Sequence, residues 1–200
     1  MSAGETERAE TELRQRAKLA LRNRMRAVRE ALPESACELR SGEITKRLFA
    51  LPELERAATV LAFASIGNEV RTQPSIQAAW AAGKRVALPR VVGAELQLHF
   101  VDSDTVLVEG AFSVREPPET AAQVQPVEVN FALVPALAVD PRGYRIGYGG
   151  GYYDKLIPRL GHACTCAVAY DFQLISEVPE LPFDVAVDLV VTDERVIRAE

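Results

Sequence analysis

Pro141-Arg-Gly-Tyr-Arg-Ile-Gly-Tyr-Gly-Gly-Gly-Tyr-Tyr-Asp154 is the stretch on which the reading of this chain turns. It holds five of the twelve glycines, two arginines and a terminal acid. Before it runs Phe131-Ala-Leu-Val-Pro-Ala-Leu-Ala-Val139, and Val129 to Val139 reads as a buried strand. After it, Tyr152 to Leu160 reads as a helix. Strand, glycine loop and helix in this order aim backbone N–H groups at an anion. Glycine allows close approach, and a helix N-terminus favours negative charge. Arg142 and Arg145 add side-chain donors suited to phosphate. Tyr148, Tyr152 and Tyr153 offer flat faces and hydroxyls. Asp154 suits a metal or the first turn of a helix. The loop is not Gly-x-x-x-x-Gly-Lys followed by Ser or Thr, nor Gly-x-Gly-x-x-Gly, because Tyr152 stands where the third glycine belongs. The alternative is a tight structural turn; five glycines beside two arginines favour a ligand loop.

Upstream, Thr59-Val-Leu-Ala-Phe-Ala64 reads as a strand, Pro74 to Ala82 as a helix closed by Gly83, and Lys84 to Pro89 as a strand. This β-α-β unit signals parallel pairing. Leu96 to Val101 alternates, as a strand near a sheet edge does. Val106 to Thr120 reads as loop, Thr165 to Tyr170 as a strand, and Asp184 to Thr192 as a last strand with Asp188 at its centre. Strands and helices alternate, so the fold class is α/β with a mostly parallel sheet covered on both faces. Ligands of such sheets bind outside the carboxyl ends of the strands. The Glu69 loop and the glycine loop both follow strands, which places both on that edge.

Residues 5–32 read as one long helix. Leu13, Ala17, Leu21, Met25, Val28 and Leu32 form an apolar stripe at helical spacing. Lys18, Arg22, Arg26 and Arg29 form a basic stripe beside it. No acid lies between Arg14 and Arg29, so the stripe is either a solvated flank or the edge of an anion site. Pro33 ends this helix, and Glu34 to Ala50 reads as a second.

Two hundred residues suit one domain with a substantial core. A net charge of −5 argues against a general nucleic-acid binder. No apolar run reaches membrane-spanning length, and the polar N-terminus is not a signal peptide. Cys37, Cys164 and Cys166 give neither a disulfide framework nor zinc-ligand spacing, so a cytoplasmic setting with reduced thiols is expected. No obligate protein partner is evident.

Taken together, the motifs resemble the 5-formyltetrahydrofolate cyclo-ligase family over roughly Lys18 to Thr192. They are Lys18-Leu-Ala-Leu-Arg22, Gly67-Asn-Glu-Val-Arg-Thr72, Gly83-Lys-Arg-Val-Ala-Leu-Pro-Arg90, Glu116-Pro117, Val134-Pro-Ala-Leu-Ala-Val-Asp140, Arg145-Ile-Gly-Tyr-Gly-Gly-Gly-Tyr-Tyr-Asp154, Asp171-Phe-Gln-Leu174 and Asp184-Val-Ala-Val-Asp-Leu-Val-Val-Thr192. The chain departs from the family pattern at Arg71, Ser113-Val-Arg115 and Phe183. The resemblance implies an open three-layer α/β/α sandwich. It implies ATP as co-substrate, Mg2+, and a reduced folate cyclised from 5-formyltetrahydrofolate to 5,10-methenyltetrahydrofolate with release of ADP and phosphate. It places Lys18, Arg22, Arg145 and Gly147, Tyr148, Gly149, Gly150, Gly151, Tyr152 and Tyr153 at ATP, with Lys18 and Arg145 as catalytic cations. Glu69, Phe112, Tyr148, Tyr152 and Tyr153 fall to the folate, and Asp154 and Asp188 to the metal. For Phe112, a place in the core is the alternative; for Arg145, a surface ion pair; for Asp188, a structural acid. Two other classes fit the same loop: a non-catalytic folate-binding relative, and a sugar-phosphate or coenzyme A–ester enzyme of similar fold.

Overall fold

The computed structural model is described for residues 3–199. Helix α1 (Ala3–Glu30) is followed, after Pro33, by α2 (Glu34–Phe49) and the short α3 (Pro52–Arg56). Strand β1 (Thr59–Leu61), helix α4 (Gln73–Ala81) and strand β2 (Arg85–Val92) form the expected β-α-β unit. Pro74 lies in the first turn of α4, where no amide is needed, and Gly83 closes it at φ +73°. Then come β3 (Glu95–Val101), β4 (Val108–Glu109), β5 (Arg115–Glu116), β6 (Gln123–Val124), β7 (Phe131–Pro135), β8 (Ala138–Val139) and β9 (Arg145–Ile146). Helix α5 (Tyr152–Leu156), β10 (Cys164–Val168), β11 (Leu189–Val191) and β12 (Val196–Arg198) complete the chain.

One sheet of eight strands runs β12-β11-β10-β7-β1-β2-β3-β6. Its five central strands, β11 to β2, are parallel; β12, β3 and β6 are antiparallel additions at the two ends. Successive residues of a central strand serve opposite faces, as strand geometry requires. Phe131 and Leu133 of β7 join a core with Ile44 and Leu48 of α2 and Ile76 of α4. Ala132 faces the other way, with Leu156 of α5 and Leu160. Helices therefore cover both faces, and the α/β/α sandwich with a mostly parallel sheet is the observed fold. No helix among the described residues is long and apolar enough to cross a membrane.

Several boundaries differ from the sequence reading, each for a visible reason. The apolar run 129–139 is not one strand. Gln173 Nε2 donates to the carbonyls of Ala136 and Leu137 at 3.1 and 2.8 Å, which takes them out of the ladder. The chain bends there, and β8 pairs antiparallel with β9 in a separate hairpin. The expected strand 184–192 shrinks to β11, because Val187 N–H donates to Gly143 on that hairpin turn instead of to the sheet. The helix expected to Leu160 gives way to a 3-10 turn at Ile157–Leu160, since Pro158 has no N–H to continue the α ladder. Segment 106–120 is not all loop: β4 and β5 pair across it, two residues each, too short for a periodic signal.

Helix α1 is rotated from the expected orientation. Leu13, Ala17 and Val28 are exposed, whereas Lys18, Met25 and Arg29 are buried. Met25 packs on Leu137, Ala138 and Ile146 of the β8–β9 hairpin. Lys18, Arg22, Met25 and Arg29 follow one another at four, three and four residues, so they share the inward line. Lys18, Arg22 and Arg29 of the basic stripe thus face the protein, whereas Arg26 stays exposed, its guanidinium carbon 5.7 Å from the centre of the Tyr148 ring.

Candidate active site

The first half of the quoted stretch has a structural task. Asp140, fully buried, accepts hydrogen bonds from the Arg142 and Tyr144 amides, the Arg142 guanidinium and the Val178 amide at 2.7 to 3.1 Å. Arg142 also bonds Glu180 Oε2 at 3.0 Å and lies over the Tyr144 ring. It is engaged in building the turn, so the phosphate reading of Arg142 gives way to that role.

The second half is the ligand-loop candidate. Gly149 and Gly151 adopt φ of +107° and +65°, a region other residues rarely enter. A Cβ on Gly150 would stand 2.5 Å from the Tyr152 ring. The amides of Gly149, Gly150 and Gly151 donate to no other part of the described chain. Arg22 from α1 lies along this loop: its Nε donates to Gly147 O at 2.8 Å, and its guanidinium carbon would be 3.6 Å from a Cβ on Gly149. Helix α5 has only five residues, so most of the loop's attraction for an anion comes from free amides and Arg22, with little from a helix dipole.

Arg145 is buried, with Nη1 donating to Val185 O at 2.6 Å and Nη2 to Asp154 Oδ1 at 3.0 Å. It is therefore not a surface ion pair. Burial pushes its pKa down, opposed by the Asp154 charge. Asp154 Oδ1 also accepts from the Val185 amide at 3.3 Å. The neighbouring Asp184 takes Lys18 Nζ and the Leu181 amide on Oδ2. Lys18, Asp184, Val185, Arg145 and Asp154 thus form one continuous set. Asp184 lies in a quoted motif, yet sequence reading assigned it no role; the resemblance assigned Asp188 instead.

Asp188 is not brought to this set. It is exposed, precedes β11, and its Oδ2 accepts from the amide and hydroxyl of Thr165, both at 2.7 Å. Thr165 is at the start of β10, the amino-terminal edge of the parallel strands; the Glu69 and glycine loops are at the carboxyl edge. Asp188 is a structural acid closing that start, and the expectation that it sits inside an apolar strand is corrected. Among the described residues no three His, Cys, Asp or Glu side chains cluster as a metal cage. Mg2+ does not need one: it keeps waters and takes one or two carboxylates together with substrate phosphates. Asp154 and Asp184 each leave one carboxylate oxygen without a partner, which fits that use.

The folate-side candidates meet the glycine loop directly. Glu69 is 5% exposed. Its Oε1 accepts the Tyr148 hydroxyl at 2.7 Å, its Oε2 accepts the Ile66 amide at 2.9 Å, and Arg29 Nη1 stands 3.6 Å from Oε1. Burial raises the Glu69 pKa, opposed by Tyr148, the Ile66 amide and Arg29. Tyr148 is raised by burial and by the Glu69 charge. Tyr153 is also raised by burial, and its hydroxyl is buried without a partner. Phe112 is 76% exposed and meets Tyr152 edge-on at 6.3 Å between centroids, so it is not a core residue. Lys18, Arg22, Arg145 and Asp154 are thus gathered on the side of the glycine loop that α1 covers, Glu69 meets the loop at Tyr148, and Phe112 meets Tyr152 just beyond it.

Residues 14–193 match the model of the 5-formyltetrahydrofolate cyclo-ligase family. The chain belongs to that family. The 5-formyltetrahydrofolate cyclo-ligase of Escherichia coli K12 is 33% identical over 183 residues, covering 88% of this chain and 98% of its own. That of Mycolicibacterium smegmatis is 33% identical over 191 residues, covering 92% and 97%. The NMR structure of Aquifex aeolicus 5,10-methenyltetrahydrofolate synthetase superposes with a TM-score of 0.81 at 35% identity, over 92% of this chain and 93% of that one. Membership in the cyclo-ligase family makes this chain an enzyme of the ligase class and sets aside the sugar-phosphate and coenzyme A–ester readings.

Proposed function

We propose that this cyclo-ligase family member converts 5-formyltetrahydrofolate to 5,10-methenyltetrahydrofolate, consuming ATP and releasing ADP and phosphate. The formyl oxygen on N5 takes the γ-phosphoryl group of ATP. N10 then forms its bond to the formyl carbon and gives up its proton, and the carbon–oxygen bond breaks with phosphate as leaving group, which carries that proton away. Positioning and charge neutralisation carry most of the task, as in phosphoryl transfer generally. Lys18, Arg22, Arg145 and the amides of Gly147 to Gly151 hold the phosphates. Glu69, Tyr148, Tyr152, Tyr153 and Phe112 hold the folate. Asp154 and Asp184 would hold Mg2+, which would neutralise charge on the phosphates.

One observation supports this reading above the others: the Tyr148–Glu69 hydrogen bond joins the anion loop to the loop carrying a buried carboxylate. A reaction between two bound substrates needs two such sites side by side. Glu69 is an acceptor suited to pterin N–H groups, and the glycine loop is a donor suited to phosphate. The test is ADP release with ATP and Mg2+ present, with and without 5-formyltetrahydrofolate. Release only with the folate supports the reading. Folate-independent release, or none, removes it.

A further inference from the structure

Arg29 has no part in the function described so far. It lies in the last turn of α1, where a cation is expected on the surface, favoured by the helix dipole and bathed in water. Instead it is 5% exposed, and a buried charge is costly unless something compensates it. Its fork is divided. Nη1 points to Glu69 Oε1 at 3.6 Å, and the other Nη donates to the Tyr148 hydroxyl. That hydroxyl passes its own hydrogen to the same Oε1 at 2.7 Å. The guanidinium carbon is 5.5 Å from the centre of the Tyr148 ring, and Nε is buried without a partner. Arg–carboxylate pairs are frequently bidentate, the fork meeting both oxygens of one carboxylate. Here it serves one oxygen from each of two loops.

The backbone reinforces the junction. Asn68, next to Glu69, donates to the carbonyls of Arg29, Glu30 and Leu32 at 3.0 to 3.3 Å, fixing the Glu69 loop on the end of α1. The Tyr170 hydroxyl holds the Glu69 carbonyl at 2.9 Å. Seven residues earlier on α1, Arg22 holds the glycine loop. Helix α1 therefore sets the distance between the two loops, and Arg29 is the point where their side chains meet. Glu69 keeps spare acceptor capacity, since an ionised carboxylate has about four acceptor positions and only two donors fill them.

We propose that Arg29 is a positioning residue: its buried guanidinium fixes the Glu69 carboxylate and Tyr148 relative to each other, so that the folate-side carboxylate is presented charged and correctly aimed. This rests on the reading of Glu69 as the folate-side acid. The ionisable groups around Glu69 are Arg29 from α1, Tyr148 from the glycine loop, Tyr153 from α5 and Arg71 from its own loop.

The experiment compares the parent with Arg29→Met and Arg29→Lys. The Glu69 carboxyl is titrated by NMR with 13C-carboxyl glutamate and assigned by its loss in Glu69→Gln. Steady-state KM is measured for 5-formyltetrahydrofolate and for ATP. In Arg29→Met the Glu69 midpoint moves upward, and the folate KM near neutral pH rises about 10-fold or more, the scale of one hydrogen bond to a charged group. The ATP KM stays within about twofold. Arg29→Lys restores most of the midpoint, because charge returns, but only part of the folate KM, because the fork does not. An unchanged midpoint in folded Arg29→Met overturns the proposal, as does an equal rise in both KM values. If Arg29→Met does not fold, Arg29→Lys alone decides: a parent-like folate KM overturns it. Should the parent itself fail to turn over the folate, the functional reading falls while the midpoint still decides whether Arg29 governs Glu69.

Discussion

Tyr148 donates its hydroxyl hydrogen to Glu69 Oε1 at 2.7 Å, across 79 residues of sequence. One partner belongs to the glycine loop and the other to the loop after β1, so the bond closes the two halves of the site on each other. Tyr148→Phe keeps the ring and its stacking with Arg29 but deletes the bond. The expected result is a folate KM raised about 10-fold, with the ATP KM much less affected. A parent-like folate KM in this variant means the hydroxyl does not set the geometry of Glu69.

Glu69 carries a pH signature. Burial first of all raises its pKa, so the folded protein takes up this proton more readily than the unfolded chain. The group therefore contributes stability that is full below the ordinary carboxylate range and is lost as pH rises through its raised value. Glu69→Gln removes that dependence: its melting temperature, relative to the parent, should climb as pH rises from the ordinary carboxylate range through the raised Glu69 value. In the parent, kcat/KM for the folate should fall as pH drops through the same raised value, a limb the variant lacks. The variant should also raise the folate KM far more than the ATP KM. Parallel melting curves, or equal changes in both KM values, count against Glu69.

The two acids read as metal ligands should now part company. Asp154→Asn, which touches Arg145 and faces the phosphate side, is expected to raise the Mg2+ concentration needed for half-maximal turnover. Asp184→Asn should do the same. Asp188→Asn keeps an acceptor oxygen for Thr165 and should titrate with Mg2+ like the parent. If Asp188→Asn and Asp154→Asn respond equally, the distinction drawn from the fold is wrong.

Arg145→Ala should lower kcat roughly 10- to 100-fold with both substrates saturating, the scale of a charge-assisted bond that tightens in the transition state. The burial of Arg145 adds a second expectation. Asp154 Oδ1 and Val185 O lose their donor, at a cost of about 1–3 kcal/mol, so the melting temperature should fall as well. Arg145→Lys should recover part of both. Kinetics beside a melting curve separates the effects: loss of stability with full kcat would make Arg145 purely structural.

Much of the fold was legible because its signals are periodic. The β1-α4-β2 unit has uninterrupted apolar runs with Pro74 and Gly83 as boundary marks, and the sheet follows from them. What escaped the sequence is what non-local bonds decide. Gln173 ends β7 from 36 residues away, and the glycine hairpin takes Val187 from the sheet. In the candidate site, the glycines and Asp154 adjoin one another in sequence, and the nearness of Arg22 to the loop, which the structure shows, was implied only by the resemblance. Asp184 and Arg29 could not be placed: each looks like a surface charge until a buried partner is known. The apolar stripe of α1 was half misleading for the same reason, since buried cations with partners face inward as well as leucines do.

The central claim is ATP-dependent ring closure at the junction of the two loops. Its most direct measurement is the appearance of the methenyl-folate absorbance band on mixing the purified protein with 5-formyltetrahydrofolate, ATP and Mg2+. The account predicts a band that grows with enzyme concentration, vanishes when ATP or Mg2+ is omitted, and is accompanied by one ADP per methenyl-folate formed. A band that forms without ATP, or a folded protein that forms none with every component present, would contradict it.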